Sequence, residues 1–172
     1  MTAYPNEPAK AIESFTEKGN NSYKVINGSI SNTSDRDKPC VLTYEFTVDN
    51  YATSIDNETY VNMVLEKNIS AGELSKTRVT PYTFEHKSSD QYTVVLQIPD
   101  GYAVTSLPKD KSFNSDIVDF SIKYRVVGNK VYMDLALDIK TIMLEPTDFA
   151  VWNEYCSTSK SAMLQSLVLT KK

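Results

Sequence analysis

The sequence predicts a mainly β fold, an antiparallel β-sandwich of immunoglobulin-like or related type with a C-terminal helix and a short N-terminal helix. Three observations carry that prediction. Apolar and polar residues alternate with a period of two over several separate runs, clusters of Asn, Asp, Ser, Pro and Gly punctuate those runs, and helical spacing shows only near the two ends. A doubly wound parallel sheet would show a regular strand-helix-strand rhythm, which this chain lacks.

The elements follow in order. In "NEPAKAIESFTEKGNN" Pro8 suits a helix start, Ile12 and Phe15 are three apart, and Gly19 is a stop, so residues 1–20 read as a helical lead-in. Residues 21–172 read as the β-sandwich region. "SYKVINGSI" offers a strand through Tyr23, Val25 and Ile26. After the turn-rich "SNTSDRDKP", Leu42, Tyr44, Phe46 and Val48 alternate with Thr43, Glu45 and Thr47, the pattern of one buried and one wet face. "TYVNMVLE" is read as a strand placing Val61, Met63 and Leu65 together, with one turn of helix as the alternative, and "RVTPYTFEH" as extended, with Pro81 at an edge or a bulge because it has no amide to donate.

"QYTVVLQI" alternates clearly, with Tyr92, Val94, Leu96 and Ile98 on one side. The most regular stretch runs from Asp116 to Ile142. Val118, Phe120, Ile122, Tyr124 and Val126 point one way, Val131, Met133, Leu135, Leu137 and Ile139 repeat the scheme, and Gly128-Asn129 between them supplies a tight hairpin turn. Beyond "LEP" the period becomes helical: Pro146 suits the first position, Asp148 the positive helix end, and Phe149, Trp152 and Cys156 recur at helical spacing. "LVLTKK" closes the chain as a terminal strand.

Composition narrows the function. A length of 172 residues is enough to bury a core without staples, and the net charge of −4 arises from interspersed acids and bases. A basic stripe suited to phosphate is missing, so nucleic acid is not an expected partner. No apolar run reaches the roughly 20 residues of a membrane span, and "MTAYPNEPAK" lacks the basic and apolar regions of a signal peptide. Either the protein is cytosolic or this start is not the natural one. The two cysteines, Cys40 and Cys156, form neither a CxxC motif nor a disulfide framework and read as free thiols, with one long-range bridge between them as the alternative.

Catalytic chemistry finds little to use. A thiol enzyme needs a cysteine, a histidine base and an orienting group. The single histidine, His86, falls in an extended segment, and neither cysteine carries a nucleophile signature. The same scarcity argues against zinc, so no metal or cofactor is expected. Asp134, Asp138 and Asp119 share the outer face of the predicted hairpin, but Lys123, Arg125 and Lys140 share it too, which is ordinary dress for a wet sheet. Among eleven tyrosines, Tyr44, Tyr92 and Tyr124 fall on inner faces and Tyr132 on an outer one, while the pattern leaves Tyr82, Tyr102 and Trp152 unplaced. Exposed aromatics on a sandwich can stack on sugars or peptides, or dock a neighbouring domain.

The stretch "LQIPDGYAVTSLPKD" joins these parts. Pro99 fixes φ at a strand end, Gly101 permits a sharp turn, and Pro108 keeps the following segment extended, so it reads as a corner between layers rather than a ligand loop.

The ordered series Arg78-x-x-Pro81-Tyr82, then Ile98-Pro99-x-Gly101-Tyr102, then Leu107-Pro108, a long hairpin, an aromatic helix and a final "VLTKK" resembles one family. It is similar to the C-terminal domain of transglutaminase-like proteins of the Bacteroidetes, a family of unknown function, with residues 78–172 matching best. Such proteins carry a papain-like core upstream of this tail. The resemblance implies that the catalytic residues lie outside this chain, that Met1 is an internal start, and that the parent is exported to the periplasm or envelope of a Gram-negative bacterium. It further implies a non-catalytic accessory module whose partner is the parent's own core or another envelope protein, with Tyr82, Tyr102, Tyr132 and Trp152 as the candidate docking surface. The alternatives are a free-standing glycan- or peptide-binding sandwich and, third, a self-contained thiol enzyme.

Overall fold

The computed structural model describes residues 12, 23–35, 37–65 and 72–172. The chain divides into two compact units, Met1–Tyr51 and Ala52–Lys172. The expected N-terminal helix, and the boundary expected at residue 20, lie outside the described residues apart from Ile12.

The first unit is built on one antiparallel hairpin of β1 (Lys24–Ser31) and β2 (Val41–Thr47). A register shift between Val25 and Asn27 lets Val25 turn inward while Ile26 stays exposed. Ile12, Tyr23 and Val25 form its core, with Ile30, Tyr44, Phe46 and Val48 packed against them. Leu42, which alternation groups with Tyr44 and Phe46, is exposed, a correction to its place on the buried face, although Ile30 directly opposite it packs against the core. Asn32 adopts a left-handed φ of 61° and its amide donates to the Pro39 carbonyl at 2.9 Å, closing the connection.

The second unit holds the larger core. Its strands are β3 (Thr53–Ile55), β4 (Glu58–Val61), β5 (Tyr82–Thr83), β6 (Ser88–Gln97), β7 (Tyr102–Ser106), β8 (Lys111–Asn114), β9 (Val118–Val127), β10 (Lys130–Ile139), β11 (Met143–Leu144) and β12 (Leu167–Lys171). A 3-10 turn, Pro146–Asp148, leads into the helix α1, Phe149–Met163. Two four-stranded antiparallel sheets result, ordered β6-β10-β9-β8 and β3-β4-β12-β7, with β5 and β11 pairing as a short ribbon. The fold class predicted for the chain, mainly β with antiparallel sheets and one C-terminal helix, is the one present.

Alternation does the sorting. On β9 and β10 the residues Val118, Phe120, Ile122, Val131, Met133, Leu135 and Leu137 are all buried, and their neighbours along the strands are not. The helix covers that face: Tyr155 stands 6.2 Å, ring to ring, from both Phe113 and Phe120. Burying such side chains contributes about 1.5–3 kcal/mol each relative to exposure, which is why the sheet and helix stay together.

Three expectations need correction. "TYVNMVLE" is strand only as far as Val61; the Asn62 side chain accepts from the Val64 amide and donates to the Met163 carbonyl, both at 2.8 Å, which competes with the ladder and ends it. Met63 and Val64 are therefore both buried, with no alternation. Pro146 opens a 3-10 turn instead of α1 itself, with Asp148 accepting from the Glu145 amide at 2.9 Å. At the hairpin tip Gly128 has a φ of 59°, while Asn129 is not among the positive-φ residues, so one left-handed residue suffices, as in a type II′ turn. The last strand, β12, is terminal in sequence but central in its sheet, between β4 and β7.

Candidate functional site

The corner between β6 and β7 is a tight turn. The Tyr102 amide donates to the Pro99 carbonyl at 3.1 Å and Gly101 has a φ of 81°, the left-handed third position that a type II turn requires. The Ile98 amide donates to the Asn129 carbonyl at 2.9 Å, tying the turn to the β9–β10 tip, and the Lys172 amide donates to the Gly101 carbonyl at 2.8 Å. Pro108, at the far end of the segment, is buried. Beside this corner lies an open cleft of about 660 Å³, lined by residues 98–107 together with Val126, Gly128, Asn129 and Lys172. Its size is within the usual range for ligand pockets, about 300–1,000 Å³. The corner is thus also one wall of a cleft, which the reading of it as a turn alone did not foresee.

The thiols and the histidine are placed apart by environment. Cys156 is 3% exposed on α1, its Sγ directed at the Gly72 carbonyl 3.6 Å away, and burial pushes its thiol up to about 11. A thiol held protonated is a poor nucleophile. Cys40 is exposed in the first unit, and His86 is exposed between β5 and β6. Among the described residues there is no cluster of three His, Cys, Asp or Glu able to hold a metal.

Two of the three outer-face carboxylates, Asp134 and Asp119, are paired with cations. Asp134 accepts from Arg125 and, at 2.9 Å, from the Thr93 hydroxyl; Asp119 meets Lys140 at 2.8 Å. The hydrogen bond from Arg125 first, then that from Thr93, hold Asp134 below the usual carboxylate range, and Lys140 does the same for Asp119. Asp138 lies directly opposite Asp119 across the hairpin. An acid catalyst needs a raised pKa, and Asp134 and Asp119 are shifted the other way.

Residues 57–169 match the family model described as a domain of unknown function with a solved structure, DUF3858. The chain belongs to the DUF3858 family. A crystal structure of a putative protease from Parabacteroides distasonis ATCC 8503 is similar at 9% sequence identity with a TM-score of 0.45, over 56% of this chain and 19% of that one. No curated protein matches the sequence.

Within the DUF3858 region the four aromatics singled out by sequence part company. Trp152 is 1% exposed and belongs to the core, a correction to its place on a docking surface: helical spacing puts it on the buried face, and its indole N–H donates to the Gly72 carbonyl at 3.2 Å. It sits in a chain of rings, Tyr82 to Phe84 at 5.1 Å, Phe84 to Trp152 at 5.2 Å and Trp152 to Tyr155 at 5.1 Å. Tyr82, Tyr102 and Tyr132 are half-buried. A guanidinium lies over two of these rings, Arg78 at 5.5 Å from Tyr82 and Arg125 at 4.6 Å from Tyr132. Arg78 also donates to the carbonyls of Thr80 and Pro81 at 2.8 and 2.9 Å, so Arg78-x-x-Pro81-Tyr82 is a self-closing clasp. Tyr155, which connects this chain of rings to Phe113 and Phe120 of the sheet, and Phe84, which joins Tyr82 to Trp152, were missed in the sequence; for Tyr155 the spacing of Trp152, Tyr155 and Cys156 along the helix was the available signal.

Proposed function

We propose that this chain is a non-catalytic interaction module, the C-terminal part of an exported transglutaminase-like protein of a Gram-negative envelope, whose partner is the parent's own catalytic core or another envelope protein. The observation that carries this reading is the state of Cys156: the one thiol of the DUF3858 region is a core side chain, hydrogen-bonded and raised to about 11, where a nucleophile would need exposure and a lowered pKa. The ordered motifs that resemble such tails, including the Arg78 clasp and the Pro99–Tyr102 turn, build structure and leave no side chain in the posture of a base.

Glycan binding is the less favoured alternative. Sugar stacking needs a free aromatic face, and Trp152 is buried while the rings of Tyr82 and Tyr132 each carry a guanidinium on one side.

Two measurements test the proposal together. Iodoacetamide applied to the native chain is expected to leave Cys156 unmodified, and peptide hydrolysis and transamidation are expected to stay at the buffer rate. The DNA upstream of the Met1 codon is expected to continue in frame through a Cys, His and Asp core to a signal peptide. Turnover that disappears in Cys156→Ser or His86→Ala would overturn the non-catalytic reading, and a stop codon immediately upstream would overturn the parentage.

A further inference from the structure

We propose that residues 72–74 are a strap latched to α1 by side chains alone, and that this strap opens as a unit of its own while the two sheets stay folded. The inference goes beyond the interaction reading and does not depend on any partner.

The latch lies on one helix. The Asn153 side chain accepts from the Leu74 amide and donates to the Leu74 carbonyl, both at 2.8 Å. A carboxamide presents an acceptor and a donor much as a peptide unit does, so Asn153 stands in for a neighbouring strand at this one residue. Two residues earlier the Trp152 indole N–H donates to the Gly72 carbonyl at 3.2 Å, and the Cys156 thiol reaches the same oxygen at 3.6 Å. Among the described residues no main-chain hydrogen bond ties residues 72–74 to a strand.

Apolar burial anchors the segment just as slightly. Gly72 and Glu73 are exposed, Leu74 is half-buried, and a Cβ built on Gly72 would meet nothing within 4 Å. β10 is the opposite case: it is paired along its whole length with both β6 and β9 and buries Val131, Met133, Leu135 and Leu137. A segment with few buried contacts and exposed hydrogen bonds opens at a far lower free energy than the core beneath it.

The downstream end supplies the hinge. The Arg78 amide donates to the Ser75 carbonyl at 3.0 Å and the Thr77 amide to the Ser75 hydroxyl at 3.3 Å, closing a turn that leads into the Arg78 clasp on Tyr82. None of these bonds reaches back past Ser75. The strap is therefore free to swing between Leu74 and Ser75 with the clasp intact. Its swing bares the two α1 groups directed at Gly72, the Trp152 indole N–H and the Cys156 Sγ, while Tyr155 keeps its packing on Phe113 and Phe120. Asn153 is the latch and residues 72–74 are the moving part.

Hydrogen exchange on the full native chain, followed by nuclear magnetic resonance, tests the strap. The Leu74 amide and the Trp152 indole N–H are expected to exchange at one common rate, about a hundredfold or more above that of the Leu135 amide in β10. Asn153→Ala removes both bonds to Leu74 and is expected to speed both strap protons about tenfold. Ile122→Val trims a fully buried side chain of β9. It is expected to speed the Leu135 amide about twofold to tenfold, the range for that truncation, and to leave both strap protons at their former rates. Strap protons that exchange no faster than Leu135, that accelerate in step with it in Ile122→Val, or that ignore Asn153→Ala would each overturn the proposal and make the segment an inseparable part of the core. A fast Leu74 amide beside a slow Trp152 indole would overturn it too, since fraying at one residue is not the opening of a strap.

Discussion

The chain contains two long antiparallel ribbons that look alike as sequence and differ as structure. β1–β2 and β9–β10 each alternate apolar and polar residues and each turn through Asn- or Gly-bearing connections. Yet β1 and β2 together contain one buried residue, Val25, while β9 and β10 contain seven. The difference is what lies on each: β10 is flanked on both edges by β6 and β9, and α1 lays Tyr155 and its neighbours across the same sheet face. Alternation marks a face as able to be buried; a covering element makes it core.

The largest expected effect breaks the better ribbon. Trp152→Ala should destabilise the second unit by about 3–5 kcal/mol, the range for large aromatic truncations in a packed core. The ring is nearly fully buried, packed at tilted angles against Phe84 and Tyr155, and its N–H donates to the Gly72 carbonyl. Urea unfolding followed by hydrogen exchange is the measurement. Protection should fall throughout β9 and β10 and be unchanged in β1 and β2; equal loss in both would mean that the two units unfold as one.

The converse test acts on the weaker ribbon. At Gly28 an added Cβ would overlap the Ile12 Cδ1 and come within 3.0 Å of the Thr43 carbonyl oxygen. Gly28→Val should therefore displace Ile12 and lower the stability of the first unit by about 1–3 kcal/mol, as overpacking does. Exchange protection in β9–β10 is expected to be unaffected. If Gly28→Val is silent, the Ile12 packing is not holding the ribbon.

How far this contrast was readable from sequence depends on what each element's neighbours are. The β9–β10 hairpin was legible along most of its length because both faces follow a period of two, but Val126, grouped by that period with the inward residues, is 43% exposed where the strand nears the tip, and only Gly128 of the two turn residues takes a positive φ. The helix face of Phe149, Trp152 and Cys156 was legible for the same kind of reason. Leu42 was misplaced because alternation assigns a residue to a face and does not report whether anything covers it there. The end of β4 at Val61 was hidden because it depends on Asn62 reaching Met163, 101 residues away. The cleft beside β7 was equally hidden: it needs the Gly128 tip, the Lys172 end and the Pro99 turn brought together, and no local pattern encodes that. Trp152 was drawn toward the surface by the idea of a docking face, although its own helical spacing argued for burial.

A smaller effect sharpens the comparison through pH. Cys156 and Tyr155 on α1, with Tyr124 on β9, have raised folded pKa values: Cys156 to about 11 from 9.0, and each tyrosine to about 12 from 10.0, burial being the main cause in each. A group whose pKa is raised on folding contributes stability that is present below its unfolded pKa and is lost as pH rises through the folded one. The second unit should therefore weaken progressively from pH 9 to pH 12. Cys156→Ser should flatten the first part of that decline, between pH 9 and 11, in urea midpoints taken at fixed ionic strength. An unchanged slope would mean that the thiol is not held in the core.

The smallest effect concerns the outer face of the same hairpin, where Asp134 meets Arg125 and Thr93. Its folded pKa is lowered from 3.8, chiefly by the hydrogen bond from Arg125, so its contribution is present above that value and is lost as pH falls below it. Exposed pairs of this kind are screened and contribute little. Asp134→Asn should leave the midpoint at pH 7 almost where it was and reduce only the loss of stability between pH 4 and pH 2, and added salt should shrink even that difference. The inner face of β10 is buried at Val131, Met133, Leu135 and Leu137, so the strand's position does not depend on the pair outside it. A fall at pH 7 comparable with that of Trp152→Ala would show the opposite: that the outer pair holds the strand in place and that the two faces of the ribbon share the work of stability.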